Sequence, residues 1–177
     1  MKAMSALTSL QGILPSLDGE GNPIRDLWDR MSRLPGGTWA FSKLIGQYVP
    51  YTGSIGAHIV ELERGRSRVE LRDRRAVRNH LRSIHAIALA NLAELAGNLA
   101  LLYSLPDDAR FILAGLQIDY VKKARGTLTA IGTCPTDLTS EKKEHAVVAE
   151  IFDASGELVA RTTFRSLVGP KRKPDTQ

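Results

Sequence analysis

Three polar side chains, Asn91, Glu94 and Asn98, interrupt the most apolar stretch of this chain, IHAIALANLAELAGNLALLY over residues 84–103. In an α-helix, at about 100° per residue, spacings of i, i+3 and i+7 lay them along one stripe. A carboxylate in such surroundings is costly unless it pairs, reaches a wet cleft or moves protons. Spacing alone leaves Glu94 open between a satisfied core residue and an acid–base group. His85, at the start of the same stretch, is open between a packing residue of the first helical turn and a member of a site. The interval 94 − 85 = 9 corresponds to about 900°, equivalent to 180°, so His85 and Glu94 project from opposite sides of one helix. A site using both would draw on two copies of the chain, which predicts a homodimer or a dimer of dimers. Competing chemistries find no residues. Cys134 is the sole cysteine and has no ligand-spaced Cys or His beside it, and GTWAF, GSIGAH and GTCP lack the partners of a nucleophile elbow or a phosphate loop. Neither a metal nor a cofactor is expected.

The elements that must position these residues follow from periodicity. Residues 84–103 are rich in Ala and Leu, free of Pro and apolar on nearly every side, which predicts a helix buried all round. Before it, Leu27, Met31 and Leu34 fall at helical spacing until Pro35-Gly36-Gly37, a second helical piece begins near Trp39, and Pro50-Tyr51-Thr52-Gly53 reads as a turn. The period then changes to two. His58, Val60 and Leu62 alternate with Ile59, Glu61 and Glu63, Gly65 marks a reversal, and Val69 and Leu71 continue a second strand. After the long helix, Ile112, Ala114, Leu116, Ile118 and Tyr120 alternate as one strand face. Gly126 allows a bend, Leu128 and Ile131 follow, and Asp153-Ala154-Ser155-Gly156 sits between two β-rich runs as a hairpin. Short helices, two strands, one long helix and about four strands, without a βαβ rhythm, predict an α+β domain whose antiparallel sheet wraps one helix.

The string N79-H-L-R-S-I-H85-A-I-A-L-A-N-L-A-E94 resembles the Asn-x5-His-Gly-Gly motif and downstream acid of the PaaI-like hotdog thioesterases, with Leu92-Ala93-Glu94 standing where that family has Leu-Ala-Asp. More narrowly, Asn-His-x4-His-Ala followed by Ala-x-Ala-Asn-Leu-Ala-Glu is similar to a hotdog branch grouped as a domain of unknown function, DUF4442. The resemblance covers about Ile55 to Val168. It implies a single hotdog domain over 1–177, with a helical N-terminal extension over 1–50, a core over 55–168 and a frayed tail over 169–177. It also implies an acyl-CoA thioesterase-like activity: Glu94 activates water or attacks directly, Asn79 and the Ala86 N–H lie near the thioester, and His85 orients the helix start. Asn79, His85 and Ala86 would come from one chain and Glu94 from its partner. Ile87, Asn91 and Asn98 would line the substrate, and Lys122, Lys123 and Arg125 would meet the CoA phosphates, an ordinary solvated charge run being the alternative for these three. The sequence departs at Ala86 and Ile87, where the family has two glycines. Ala retains the amide donor, whereas the added side chains narrow the approach. The rival class is a non-catalytic acyl-thioester binder or structural hotdog dimer.

Bulk properties fit one soluble domain. The 177 residues are 43% hydrophobic, enough for one sizeable core. The single cysteine fits a reducing cytoplasm, the first residues lack an uninterrupted apolar signal region, and residues 84–103 are too polar for a lipid-facing span. A net charge of +5 suits an anionic partner, but without interleaved aromatics nucleic acid is not expected.

Overall fold

The computed structural model of the chain describes residues 21–171. Helix α1, Pro23–Met31, begins where Asn22 Oδ1 accepts from the Arg25 N–H at 3.1 Å and Pro23 occupies the first turn. After Gly36 at φ 72°, α2 covers Gly37–Tyr48, and the expected turn at Pro50 is a single helical turn, α3, Pro50–Gly53. Strands β1 (His58–Glu63) and β2 (Arg66–Leu71) form the first hairpin. The long helix is α4, Ala86–Ser104, followed by β3 (Ala109–Tyr120), β4 (Leu128–Thr133), β5 (Lys143–Phe152) and β6 (Leu158–Pro170). All strand pairs are antiparallel in the order β1-β2-β4-β5-β6-β3, and α4 packs against the concave face. This is the hotdog fold, an α+β architecture with helices before the sheet. By length and composition α4 could cross a membrane, but most of it is buried on this sheet.

Two glycines let α4 sit close. A methyl at Gly97 would lie 2.7 Å from the Phe164 ring, and one at Gly132 of β4 would lie 2.3 Å from the Ala96 carbonyl oxygen. That same oxygen accepts from Ser67 Oγ at 2.6 Å, so helix and sheet are also hydrogen-bonded at their nearest approach. Gly132→Ala is expected to cost about 1–3 kcal/mol, the scale of overpacking, read as a lower urea midpoint. Gly169→Ala is the control, because its new methyl meets nothing closer than 3.9 Å.

The helix is not buried all round. Ala90, Glu94, Asn98 and Leu102, four residues apart, form a half-exposed stripe, and Ala86, Ile87 and Tyr103 are also open at the two ends. Strands β1 and β3 also depart from strict alternation, as does β6, where the pairing with β5 skips Val159 and leaves it buried beside Ala160. A bulge at Val60 brings Ile59 and Leu62 to the same buried face, although period two puts them on opposite faces. A second bulge at Ala114 splits the expected β3 face: Leu116, Ile118 and Tyr120 pair with Phe164, Thr162 and Ala160 on the concave side, while Ile112 pairs with Leu167 on the other. Strand β6 continues through Gly169 and Pro170, past the expected end of the core, and the Lys171 N–H donates to Asp108 O at 2.8 Å. Residues 172–177 of the expected tail and 1–20 of the expected extension lie outside the described residues.

Candidate active site

Glu94 opens onto a cavity of about 490 Å³ between α4, the N-terminal helices and the start of β3. Its walls include Ile24, Ile45, Leu95, Leu99, Leu102 and Phe111. The carboxylate has one hydrogen-bond donor among the described side chains, Asn98 Nδ2 at 3.4 Å from Oε1. Of the alternatives open for Glu94, the structure therefore gives a carboxylate at a cleft, held by a single long bond. Asn98 shares the cavity, but Asn91 does not. Asn91 is 5% exposed, donates through Nδ2 to Tyr51 O at 3.1 Å, and lines a separate pocket with Tyr51, His85 and Ile87. The polar stripe thus divides between two sites.

The other candidates gather at the start of α4. His85 is the N-cap, its Nδ1 accepting from the Ile87 N–H at 3.1 Å, which leaves the proton of a neutral ring on Nε2. Its own N–H donates to Val77 O at 2.8 Å. Ala86, the first helical residue, carries an amide outside the helix's own ladder, and its carbonyl receives Tyr120 Oη at 3.1 Å from the far end of β3. Asn79 organises the preceding loop. Its Oδ1 accepts from the Leu81 and Ser83 N–H groups at 2.9 and 3.2 Å, closing a turn in which Arg82 takes φ 55°. Ile87 is 54% exposed and borders the His85 pocket, not the Glu94 cavity of the same chain. Over nine residues the helix rises about 13 Å. One chain therefore brings His85 and Ile87 to one pocket beside the first amide of α4, keeps Asn79 in the loop that precedes it, and leaves Glu94 with Asn98 elsewhere.

Of the basic residues expected to meet CoA, Lys122 already has acidic partners. Its ammonium pairs with Asp153 at 2.6 Å and with Glu157, tying the end of β3 to the β5–β6 hairpin. This ion pair and the Ser155 hydroxyl hold the Asp153 carboxyl well below the usual carboxylate range. Lys122 is thus committed to a structural pair, whereas Lys123 and Arg125 are exposed on either side of buried Ala124. The Ala124 backbone bonds with Ser83 Oγ and the Ile84 N–H, and Gly126 N–H donates to Asp73 Oδ2 at 2.9 Å. These bonds bring the 121–127 loop against residues 73–84, so Arg75 and Arg82 join Lys123 and Arg125 near the start of α4, while Arg78, like Lys122, is ion-paired, its Nε donating to Asp73 Oδ1 at 2.6 Å. Among the candidates drawn from the sequence these arginines do not figure. The run RDRRAVR over residues 72–78 is a signal for Arg75, Arg82 lies beyond it, and the Ser83–Ala124 contact brings both near Lys123 and Arg125. Burial pushes the Cys134 thiol up despite its bond to Ser104 Oγ, away from the thiolate that a nucleophile needs.

Comparisons with known proteins agree with this architecture. The model of the family described as "Domain of unknown function (DUF4442)" matches residues 37–168. The crystal structure of genomics APC5556 superposes with a TM-score of 0.72 at 29% identity, covering 83% of this chain and 98% of that one. PA5026 of Pseudomonas aeruginosa, called a protein of unknown function and "probable thioesterase", gives 0.68 at 23% identity, over 77% and 97%. The E. coli PaaI protein from the phenylacetic acid degradation operon gives 0.60 at 18% identity, over 73% and 91%. The comparison with curated proteins gives no match. With its matched region spanning the sheet and its central helix, the chain belongs to the DUF4442 family, on a hotdog fold.

Proposed function

We propose that this protein is a cytoplasmic acyl-CoA thioesterase-like hydrolase whose sites form between two copies of the chain. The observation that carries the reading is Glu94, a carboxylate on an apolar core helix, half-exposed at the mouth of an aliphatic cavity. A hydrolase needs such a base beside a thioester, together with amide donors for the developing oxyanion. In this reading Glu94 takes a proton from water as the oxygen adds to the thioester carbon. The Ala86 N–H of the other copy, at the helix N-terminus, faces the oxyanion, with the Asn79 amide nitrogen nearby and His85 holding the turn. Collapse breaks the C–S bond, the thiolate takes up the proton, and a carboxylic acid and a thiol leave. Asn98 orients Glu94, and Ile87 and Asn91 border the approach of the thiol arm. Lys123 and Arg125, with Arg75 and Arg82, meet the CoA phosphates.

The edge strand supports the pairing. One side of β3 has no partner strand among the described residues, and Ile112, Leu116, Tyr120 and Val121 along it are exposed. A long uncovered edge with large apolar side chains is a surface that folded proteins normally pair or cover. Leu116→Lys is expected to leave the monomer folded and shift the protein from dimer to monomer in sedimentation, with activity falling in step. A monomeric wild type at micromolar concentration, its specific activity unchanged on dilution, rejects the shared site. The activity is tested by free-thiol release across acyl-CoA lengths. Binding of these thioesters without thiol release replaces the hydrolase with a binder.

A further inference from the structure

The family match begins at residue 37, yet the Glu94 cavity is walled in part by Gly21, Asn22, Pro23 and Ile24, which precede it. This short segment is fastened to the far end of α4. Asn22 Nδ2 donates to Leu102 O at 2.7 Å and to Leu105 O at 3.3 Å, both carbonyls at the helix C-terminus. Arg25 donates to Leu105 O at 3.1 Å and pairs with Asp107, Tyr103 Oη donates to Asp29 Oδ1 at 2.9 Å, and Lys171 Nζ reaches Gly21 O at 2.6 Å. The segment is thus built as a fixed wall. Between it and Glu94 the cavity runs along Leu95, Leu99 and Leu102, with Ile45 opposite. From residue 94 to 105 the helix rises about 16 Å.

We propose, building on the hydrolase reading, that this cavity receives an unbranched aliphatic acyl chain of medium to long length and that the Asn22–Ile24 segment is its end wall. A carboxylate at one end places the reacting carbon, the walls beside α4 are aliphatic, and the cations that also line the cavity are Arg110 and Lys171, the latter bonded to Gly21 O at the wall. At about 30 Å³ for a water-sized group, the volume holds on the order of a dozen methylenes. Short acyl groups leave it unfilled and gain less from burial. The wall sets an upper limit on length, with Leu102 and Ile24 as the residues that determine it.

The test uses the full chain and a series of saturated acyl-CoA thioesters, together with non-hydrolysable S-alkyl-CoA thioethers whose binding is measured by calorimetry. Thioether affinity is expected to rise about fourfold per added methylene up to a limiting length and then stop rising. Leu102→Phe should move that limit to chains at least two carbons shorter, and Ile24→Ala should move it to longer ones. Melting curves check the variants, and half-exposed Leu102 carries the test alone if Ile24→Ala does not fold. Affinity independent of length, or a limit that stays put in every folded variant, overturns the end wall even if wild type releases thiol. A limit that moves as described in a protein that releases no thiol overturns hydrolysis and leaves the acyl pocket standing.

Discussion

Glu94→Gln is expected to lower kcat for acyl-thioester hydrolysis by about 10²-fold or more, the usual scale for losing a positioned proton acceptor, with the melting curve nearly unchanged. The structural cost is small because the side chain has one described hydrogen bond, from Asn98 Nδ2 at 3.4 Å, and the amide oxygen of Gln can still accept it. It also stands at the cavity, where the amide remains hydrated. Steady-state kinetics on the wild type's best acyl-CoA reads the effect. The fall should appear in kcat with KM little changed, since the base acts on water and not on acyl-chain binding. A variant with wild-type kcat would remove Glu94 from the chemistry altogether.

The second large effect is recovery of activity by mixing two inactive proteins. His85→Ala removes the N-cap from the helix start, and Glu94→Gln removes the base. If each site takes its helix start from one chain and its carboxylate from the other, a mixed dimer has one doubly damaged site and one intact site. Random reassociation of equal amounts makes half of the dimers mixed, so activity should return to about a quarter of wild type, from about a hundredth in the Glu94→Gln parent. Co-refolding followed by a thiol-release assay measures it. Should both residues serve a site within one chain, the mixture would show only the average of its parents.

The central helix was readable because a run of Ala and Leu without Pro has few other solutions, and the order of strands followed once it was placed. The bulges at Val60 and Ala114 were not readable. Each inserts one residue into a strand that alternates acceptably without it, and only pairing with β2 or β6 shows which residues face the core. The opposed placement of His85 and Glu94 was legible, being a consequence of helix pitch alone. The division of Asn91 from Glu94 was not, because it depends on the Tyr51 carbonyl reaching α4 from another helix. The ion pairs of Lys122 were not readable for the same reason: its acidic partners lie in the β5–β6 hairpin, 31 and 35 residues along.

The position of β3 also has a bearing on how the chain is made. Strand β3 pairs only with β6 among the described strands, Tyr120 opposite Ala160 and Ala109 opposite Pro170. Synthesis at about 5–20 residues per second therefore leaves β3 on the order of several seconds without its partner, while α4 and the first hairpin are already out of the ribosome. During that interval an apolar helix and a strand with both edges bare are exposed together, a condition that favours capture by a chaperone or by a neighbouring nascent chain. Closure of this long-range pair, with that of β2 and β4, should accordingly limit the folding rate, and slower translation between residues 120 and 160 should lower soluble yield without altering the stability of the finished protein.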